Sequence, residues 1–466
     1  MPDATLDSAI ASAILGIDTV WGGDVMNPSG TGRFIADSWC SDEPLPAAYS
    51  HPTAAAVRAA GGLSAKEPDR EALDAYLAAV DVPGAIDELR DGGGAVGGTR
   101  GAFLVSLGEN LQVMWDLAME VLGRGDPVPY ERSVLASCAA PPTPSDPRAK
   151  RERLGALLAG AGYPADDDDG LLAAAAAWRG ARMVPAATIP TLARAFIAEL
   201  DAGAVAHVLP HLPAELEGVP RANVEFLPIK DAWFSGSMNY ANVEFLAIKD
   251  AWFSGSMNYI GRARTADGRP QYEASYEINA SLEISVPEFV QLVSHEVVPG
   301  HVTTFAYAQH LYTLGEVGFE GTVLTMNSRY STLAEGIANN AIVMAHGVSE
   351  IDQLPDEDLQ IGTLLALLQD DAKNQASYLT WKEGWATPDV AAVLRRDFVV
   401  SDERAGKLSG AWARHPLLGR MYLPSYRAGT DKVAELRRRH PDAEVLPALY
   451  GCRGLVDVAT VDKVLG

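Results

Sequence analysis

The densest concentration of reactive side chains in the chain is Ser294-His-Glu-Val-Val-Pro-Gly-His301. It opens like a zincin motif, in which histidines hold zinc and the glutamate beside the first of them activates a water. The spacing is unusual. Histidines four apart share one helix face, whereas a separation of six turns the second about 120° away on a straight helix. Pro299 and Gly300 offer the way out, because proline disrupts the preceding turn and glycine accepts almost any dihedral. A break there would return His301 to the side of His295, with Glu296 as the base. The competing reading is a pair of core histidines beside a helix break.

A catalytic zinc commonly takes three protein ligands and leaves one position for water, so a third ligand is expected from another segment. Glu316 and Glu320 sit in a Gly-rich, loop-like stretch, Leu314-Gly-Glu-Val-Gly-Phe-Glu-Gly321. Glu335 lies in an apolar helical run, STLAEGIANNAIVMAHG, where a carboxylate needs a partner. The reading adopted is zinc on His295, His301 and Glu335, one ion per chain, with manganese or iron able to use the same donors. The alternative for Glu335 is an ion pair with Arg329 or exposure at a helix end. Asn339, one turn on, is expected to hydrogen-bond the glutamate ligand.

The elements that must position these groups are mainly helical. Ala-rich and amphipathic runs dominate, and β-branched clusters are few. Tyr272 to Asn279, YEASYEIN, alternates like a strand just ahead of the motif. Residues 1–140 form a first helical region, in which Asp91-Gly-Gly-Gly-Ala-Val-Gly-Gly98 is expected to be a loop between helices. Pro141-Pro-Thr-Pro-Ser-Asp-Pro147 marks a turn or linker into a second helical region, 141–221. There Asp166 to Asp169 suit a helix start better than a calcium loop. Region 222–466 carries the metal motif. It begins with a tandem duplication, in which ANVEFLPIKDAWFSGSMNY at 222–240 recurs at 241–259 with only Pro228 replaced, by Ala247. Two copies are too few for a solenoid. One copy is expected to hold the original position, with the other extruded or paired beside it.

Composition narrows the partners. Of 466 residues 48% are hydrophobic, ample for a core. Against 37 basic residues stand 61 acidic ones, a formal charge of −24 that would repel phosphate backbones and anionic lipid, so neither nucleic acid nor a membrane is expected as a partner. Cys40, Cys138 and Cys452 are odd in number and form no CxxC pair, which suits a reducing compartment. The N-terminus lacks a basic leader with an apolar core, and no run of 18 apolar residues follows, so a cytoplasmic location is expected.

HEVVPGH resembles the HExxPGH signature of the bacterial family called domain of unknown function 885, whose members are regarded as zinc metallopeptidase-like. The strand ending in Asn279 resembles that family's strand and asparagine ahead of the signature. Leu333-Ala-Glu-Gly-Ile-Ala338 resembles the segment that supplies its third ligand, and Gly384-Trp385 and Ser425-Tyr-Arg-Ala-Gly429 resemble its later elements. The resemblance covers roughly residues 220–466. It implies a large helical zincin-like fold with a small β-sheet beside the metal-binding helix, and it selects Glu335 over Glu383 of the similar-looking Glu383-Gly-Trp-Ala386. The chain departs from the family at Val302, Asn339, Asn340, Ile342 and Trp381, positions that alter the expected substrate-facing shell.

The expected activity is hydrolysis of a peptide or small amide by metal-activated water, with Glu296 shuttling the proton. By the resemblance, Tyr426 or Arg427 would stabilise the oxyanion, and the strand with Tyr276 and Asn279 would align an extended substrate. A second reading keeps the metal and base but makes the protein a lyase or isomerase of a small carbonyl metabolite. A third is a binding or structural protein on a retired scaffold.

Overall fold

The structure is a computed structural model that describes residues 3–26, 34–229, 255–279 and 284–465. As expected, the chain is mainly α-helical, and none of the described helices is long and apolar enough to cross a membrane. The largest apolar cluster draws residues from Leu6 through to Leu465, so all three sequence regions share one core. Buried ion pairing reinforces this: Arg100, on the long helix Gly98–Leu122, binds both oxygens of Glu320 at 2.9–3.2 Å.

The Gly-rich stretch 91–98 is not a loop. Helix Val82–Val96 runs through Gly92–Gly94 and breaks only at Gly97. The physical reason is a close helix crossing, since a Cβ on Gly101 would lie 2.5 Å from the Gly93 carbonyl oxygen. The aspartate run does begin a helix, Asp168–Gly180, with Asp167 accepting the Gly170 N–H at 2.7 Å.

Five helices position the site. The first histidine helix, Val286–Glu296, starts at a capping box of Ser285 and Glu288, with Arg179 clamping Glu288 from outside at 2.7–2.8 Å. The second histidine helix, His301–Thr313, begins at His301 itself. The glutamate helix, Arg329–Ala345, starts at the Ser328 cap. The aspartate helix, Glu357–Trp381, and the tyrosine helix, Leu423–Arg439, pack around it. The glutamate and tyrosine helices cross where no side chain fits, because a Cβ on Gly336 would lie 2.2 Å from the Gly429 carbonyl oxygen. That contact seats the tyrosine face one turn away, at Tyr426, against Glu335.

Among the described residues, two sheets complete the fold. Strand β1, Ala36–Trp39, pairs with β5, Val323–Thr325. In the other sheet β4, Glu273–Asn279, lies between β2, Val224–Ile229, on its parallel side and β3, Gly255–Ile260, on its antiparallel side. This sheet rests on the histidine helices through Phe226, whose ring meets Phe289 at 5.9 Å, and Tyr259, whose ring meets Phe305 at 5.7 Å. The duplication is thus divided: β2 comes from the head of the first copy and β3 from the tail of the second. The remainder of the repeat, 230–254, lies outside the described residues.

Candidate metal centre

The break predicted from Pro299 and Gly300 is present. The first histidine helix stops at Glu296, the second resumes at His301, and the Val298–Pro299 peptide between them is cis. The Gly300 N–H donates to the Ser294 carbonyl at 3.1 Å, and Thr303 locks the turn by donating its hydroxyl to the Val297 carbonyl at 3.1 Å. The chain doubles back so tightly that a Cβ at 300 would lie 1.9 Å from the His295 carbonyl oxygen. Glycine is therefore obligatory there, and its consequence is that the rings of His295 and His301 meet at 4.8 Å and 87°.

Glu335 closes the triad. Its Oε2 lies 3.5 Å from His295 Nε2 and 3.7 Å from His301 Nε2, and these donor atoms all fall within 4.8 Å of one another. Zinc bonds of about 2.0–2.1 Å in tetrahedral geometry place neighbouring donors about 3.3 Å apart, so the two carboxylate–imidazole spacings are already near that value and the two imidazoles would have to draw together around an ion. Glu335 Oε2 is buried without a hydrogen-bond partner, an orphan acceptor of the kind a cation satisfies. Two imidazoles and one carboxylate are a donor set that suits zinc. The other candidates are elsewhere: Glu320 is committed to Arg100, Glu316 is exposed, and Arg329, once a possible partner for Glu335, instead bonds Glu109 at 2.9 Å.

The groups behind the triad fix its orientation. His295 Nδ1 meets Asn339 Oδ1 at 2.8 Å, which keeps a proton on Nδ1 and turns Nε2 toward Glu335. Asn339 thus serves a histidine, not the glutamate as expected from its helical spacing. Its amide nitrogen donates to Asp370 Oδ2 and Thr430 Oγ1, both at 2.8 Å. On the other side the Tyr422 hydroxyl donates to Glu335 Oε1 at 2.9 Å, and the Tyr426 hydroxyl donates to Tyr422 at 2.9 Å. Both chains of contacts end at Lys373, whose ammonium lies 2.8 Å from Asp370 Oδ1 and 3.2 Å from the centre of the Tyr426 ring.

The electrostatics follow from this crowding. Burial opposes the His295 cation, but the Glu335 carboxylate at 3.5 Å and the charges of Glu296 and Asp370 outweigh it and hold the imidazole at about 9. Burial likewise opposes the Glu335 anion, yet the two imidazoles at 3.5 and 3.7 Å hold it well below the usual carboxylate range. Burial first, then the neighbouring carboxylate, pushes Tyr422 well above its ordinary value, so it stays a donor. Tyr276 is pushed up in the same way by burial and by the Glu296 carboxylate that its hydroxyl faces.

Several expected roles change. Tyr426 belongs to the centre, but its hydroxyl is already donated to Tyr422. Arg427 points the other way on the same helix, to the Pro144 carbonyl at 2.8 Å and to Asp431 at 3.4 Å, and does not face the triad. Strand β4 has no free edge, since residues 274–279 pair with β2 and residues 273–278 with β3. Its backbone therefore cannot align a substrate; Tyr276 reaches Glu296 through its side chain, and Asn279 ends the strand opposite Ile229. Tyr422, Asp370 and Lys373 were missed. Tyr422 and Tyr426 share a helix face by their spacing of four, and Asp370 sits in the apolar run LLALLQDDAKNQ, the same signal that singled out Glu335.

No protein-family model matches the chain, and no curated protein matches it. Among solved structures, it is similar to one described as "putative lipoprotein from Colwellia psychrerythraea", with a TM-score of 0.51 at 12% identity over 82% of this chain. The match spans 66% of that protein's length. A "putative lipoprotein of unknown function from Shewanella oneidensis" aligns with a TM-score of 0.48 at 14% identity, over 90% of this chain and 77% of the other. The likeness to the Colwellia protein is one of fold.

Proposed function

We propose that the protein is a zinc-dependent hydrolase of the metallopeptidase type, cleaving a peptide or small amide bond, with a zincin-like catalytic half akin to the domain of unknown function 885 family. The observation that carries this reading is the orphaned, buried Oε2 of Glu335 facing the Nε2 atoms of two histidines, with Glu296 next in the chain to the first of them. A divalent ion on these three donors would supply Lewis acidity toward water and a carbonyl oxygen.

The remaining chemistry belongs to the chain. Glu296 is the base that takes a proton from the attacking water and returns it to the departing nitrogen. Tyr276, buried beside that carboxylate, is placed to orient it. Asn339 holds His295 in the tautomer whose Nε2 is free, and Tyr422 holds Glu335. The oxyanion donor is not Arg427, which is turned away.

The test is turnover of a library of short peptides and N-acyl amides by zinc-loaded protein, beside Glu296→Gln. The expected result is hydrolysis by the wild type and a rate lower by about 10²–10⁴-fold in the variant, with zinc content unchanged. Cleavage at equal rates by both proteins, or turnover of small carbonyl compounds without any amide hydrolysis, would contradict the reading.

A further inference from the structure

We propose that Tyr422 is a positioning residue that commits Glu335 to hold a metal through a single oxygen, and so keeps a coordination position available to substrate. This rests on the reading of the centre as a catalytic zinc site. A carboxylate can bind a cation through one oxygen or two. Here the two oxygens have separate duties, because Oε1 accepts the Tyr422 hydroxyl at 2.9 Å while Oε2 faces His295 and His301 at 3.5 and 3.7 Å. Chelation through both would make Oε1 share its electron density between the ion and the Tyr422 hydroxyl, which weakens its bond to the ion and favours attachment through Oε2 alone.

The Tyr422 oxygen also accepts the Tyr426 hydroxyl at 2.9 Å, while its own proton is given to Glu335. The Tyr426 ring is in turn covered by the Lys373 ammonium at 3.2 Å, and Lys373 is tied to Asp370 at 2.8 Å. Both tyrosines are buried, so no solvent competes freely for either hydroxyl. Two imidazoles and one carboxylate oxygen then make three protein donors, the number that leaves a tetrahedral site open.

The experiment is cobalt(II) substitution of the full chain, read by the visible d–d absorption band and by the number of first-shell atoms from X-ray absorption. Wild type is expected to show the intense band of a four-coordinate ion. Tyr422→Phe removes only the hydroxyl; it should bind one cobalt but lose band intensity as Oε1 joins the shell and the atom count rises. Tyr426→Phe leaves the Tyr422 bond to Glu335 in place and should keep the wild-type band. An unchanged band and shell in Tyr422→Phe would overturn this proposal alone, as would an equal loss in Tyr426→Phe, which would assign the effect to packing. Failure of the wild type to take up cobalt or zinc would overturn the metal reading itself.

Discussion

Replacing Gly300 by alanine tests how the sequence motif becomes a site. The backbone at 300 has φ −78° and ψ −132°, and it passes so close to the preceding turn that a side chain there meets other backbone. The new methyl would start 1.9 Å from the His295 carbonyl oxygen and 2.5 Å from that of Ser294. Carbon and oxygen settle at about 3.3 Å or more, so the turn must open by about 1.4 Å. The atoms it must move are backbone of the residue that carries the first ligand, and metal donors tolerate misplacement of only about 0.2 Å. Zinc affinity should fall by about 100-fold or more, beyond what loss of an outer-shell partner costs. The metal-free protein should lose about 1–3 kcal/mol, as for other overpacked sites. Gly94→Ala is the control: nothing lies within 4 Å of its methyl, so it should be neutral or stabilising by about 0.5–1 kcal/mol with zinc binding intact. The assay is chelator competition for zinc, with thermal unfolding in chelator beside it. Wild-type zinc affinity in Gly300→Ala would refute the claim that this close turn is what brings His301 to His295.

Other perturbations separate ligand from scaffold. Glu320→Gln breaks the bidentate pair with Arg100 and should cost about 2–3 kcal/mol in unfolding while leaving one zinc per chain; loss of zinc from a folded variant would put Glu320 back among the ligands. Lys373→Met removes the support shared by the Asn339 and Tyr422 arms and should weaken zinc binding about 10-fold, as read by chelator competition; an unchanged affinity would show that the two arms stand without it. For pH the sign follows from His295 in the metal-free protein. Its raised pKa means the proton favours the folded state, so that contribution is complete below 6.5 and lost as pH rises through about 9. Glu335 is depressed and acts oppositely, its contribution being lost on acidification below the ordinary carboxylate range. Unfolding midpoints in chelator should therefore fall between pH 6.5 and 9, while zinc binds about tenfold tighter per pH unit over that window as it displaces the proton. A metal-free midpoint that climbs over the same range would contradict the assignment.

The triad was legible because each member carried a local conflict. Two histidines at a spacing that a straight helix cannot use, a Pro-Gly pair between them, and a carboxylate in an apolar run each demanded a partner, and the structure brings the three side chains together. Strand β4 and the helix start at Asp167 were legible for the same reason, being set by local alternation and capping. What depended on neighbours distant in sequence was not. Gly92–Gly94 looked like a loop because nothing local reveals that a helix ending in Val96 presses on Gly101. Arg427 and Tyr426 are adjacent in sequence, yet helical geometry sends one to the Pro144 carbonyl and the other to the centre. The sheet also hid its order, because the parallel pairing of β2 with β4 fills the edge that a substrate would have needed.

The most direct test of the central claim is zinc content by elemental mass spectrometry of the full chain after equilibration with limiting zinc, for wild type, His301→Ala and Glu335→Ala. One zinc per wild-type chain and a near-complete loss in both folded variants is the predicted result. Wild type without zinc, or variants that retain it in full, would contradict the assignment of His295, His301 and Glu335 as a metal centre.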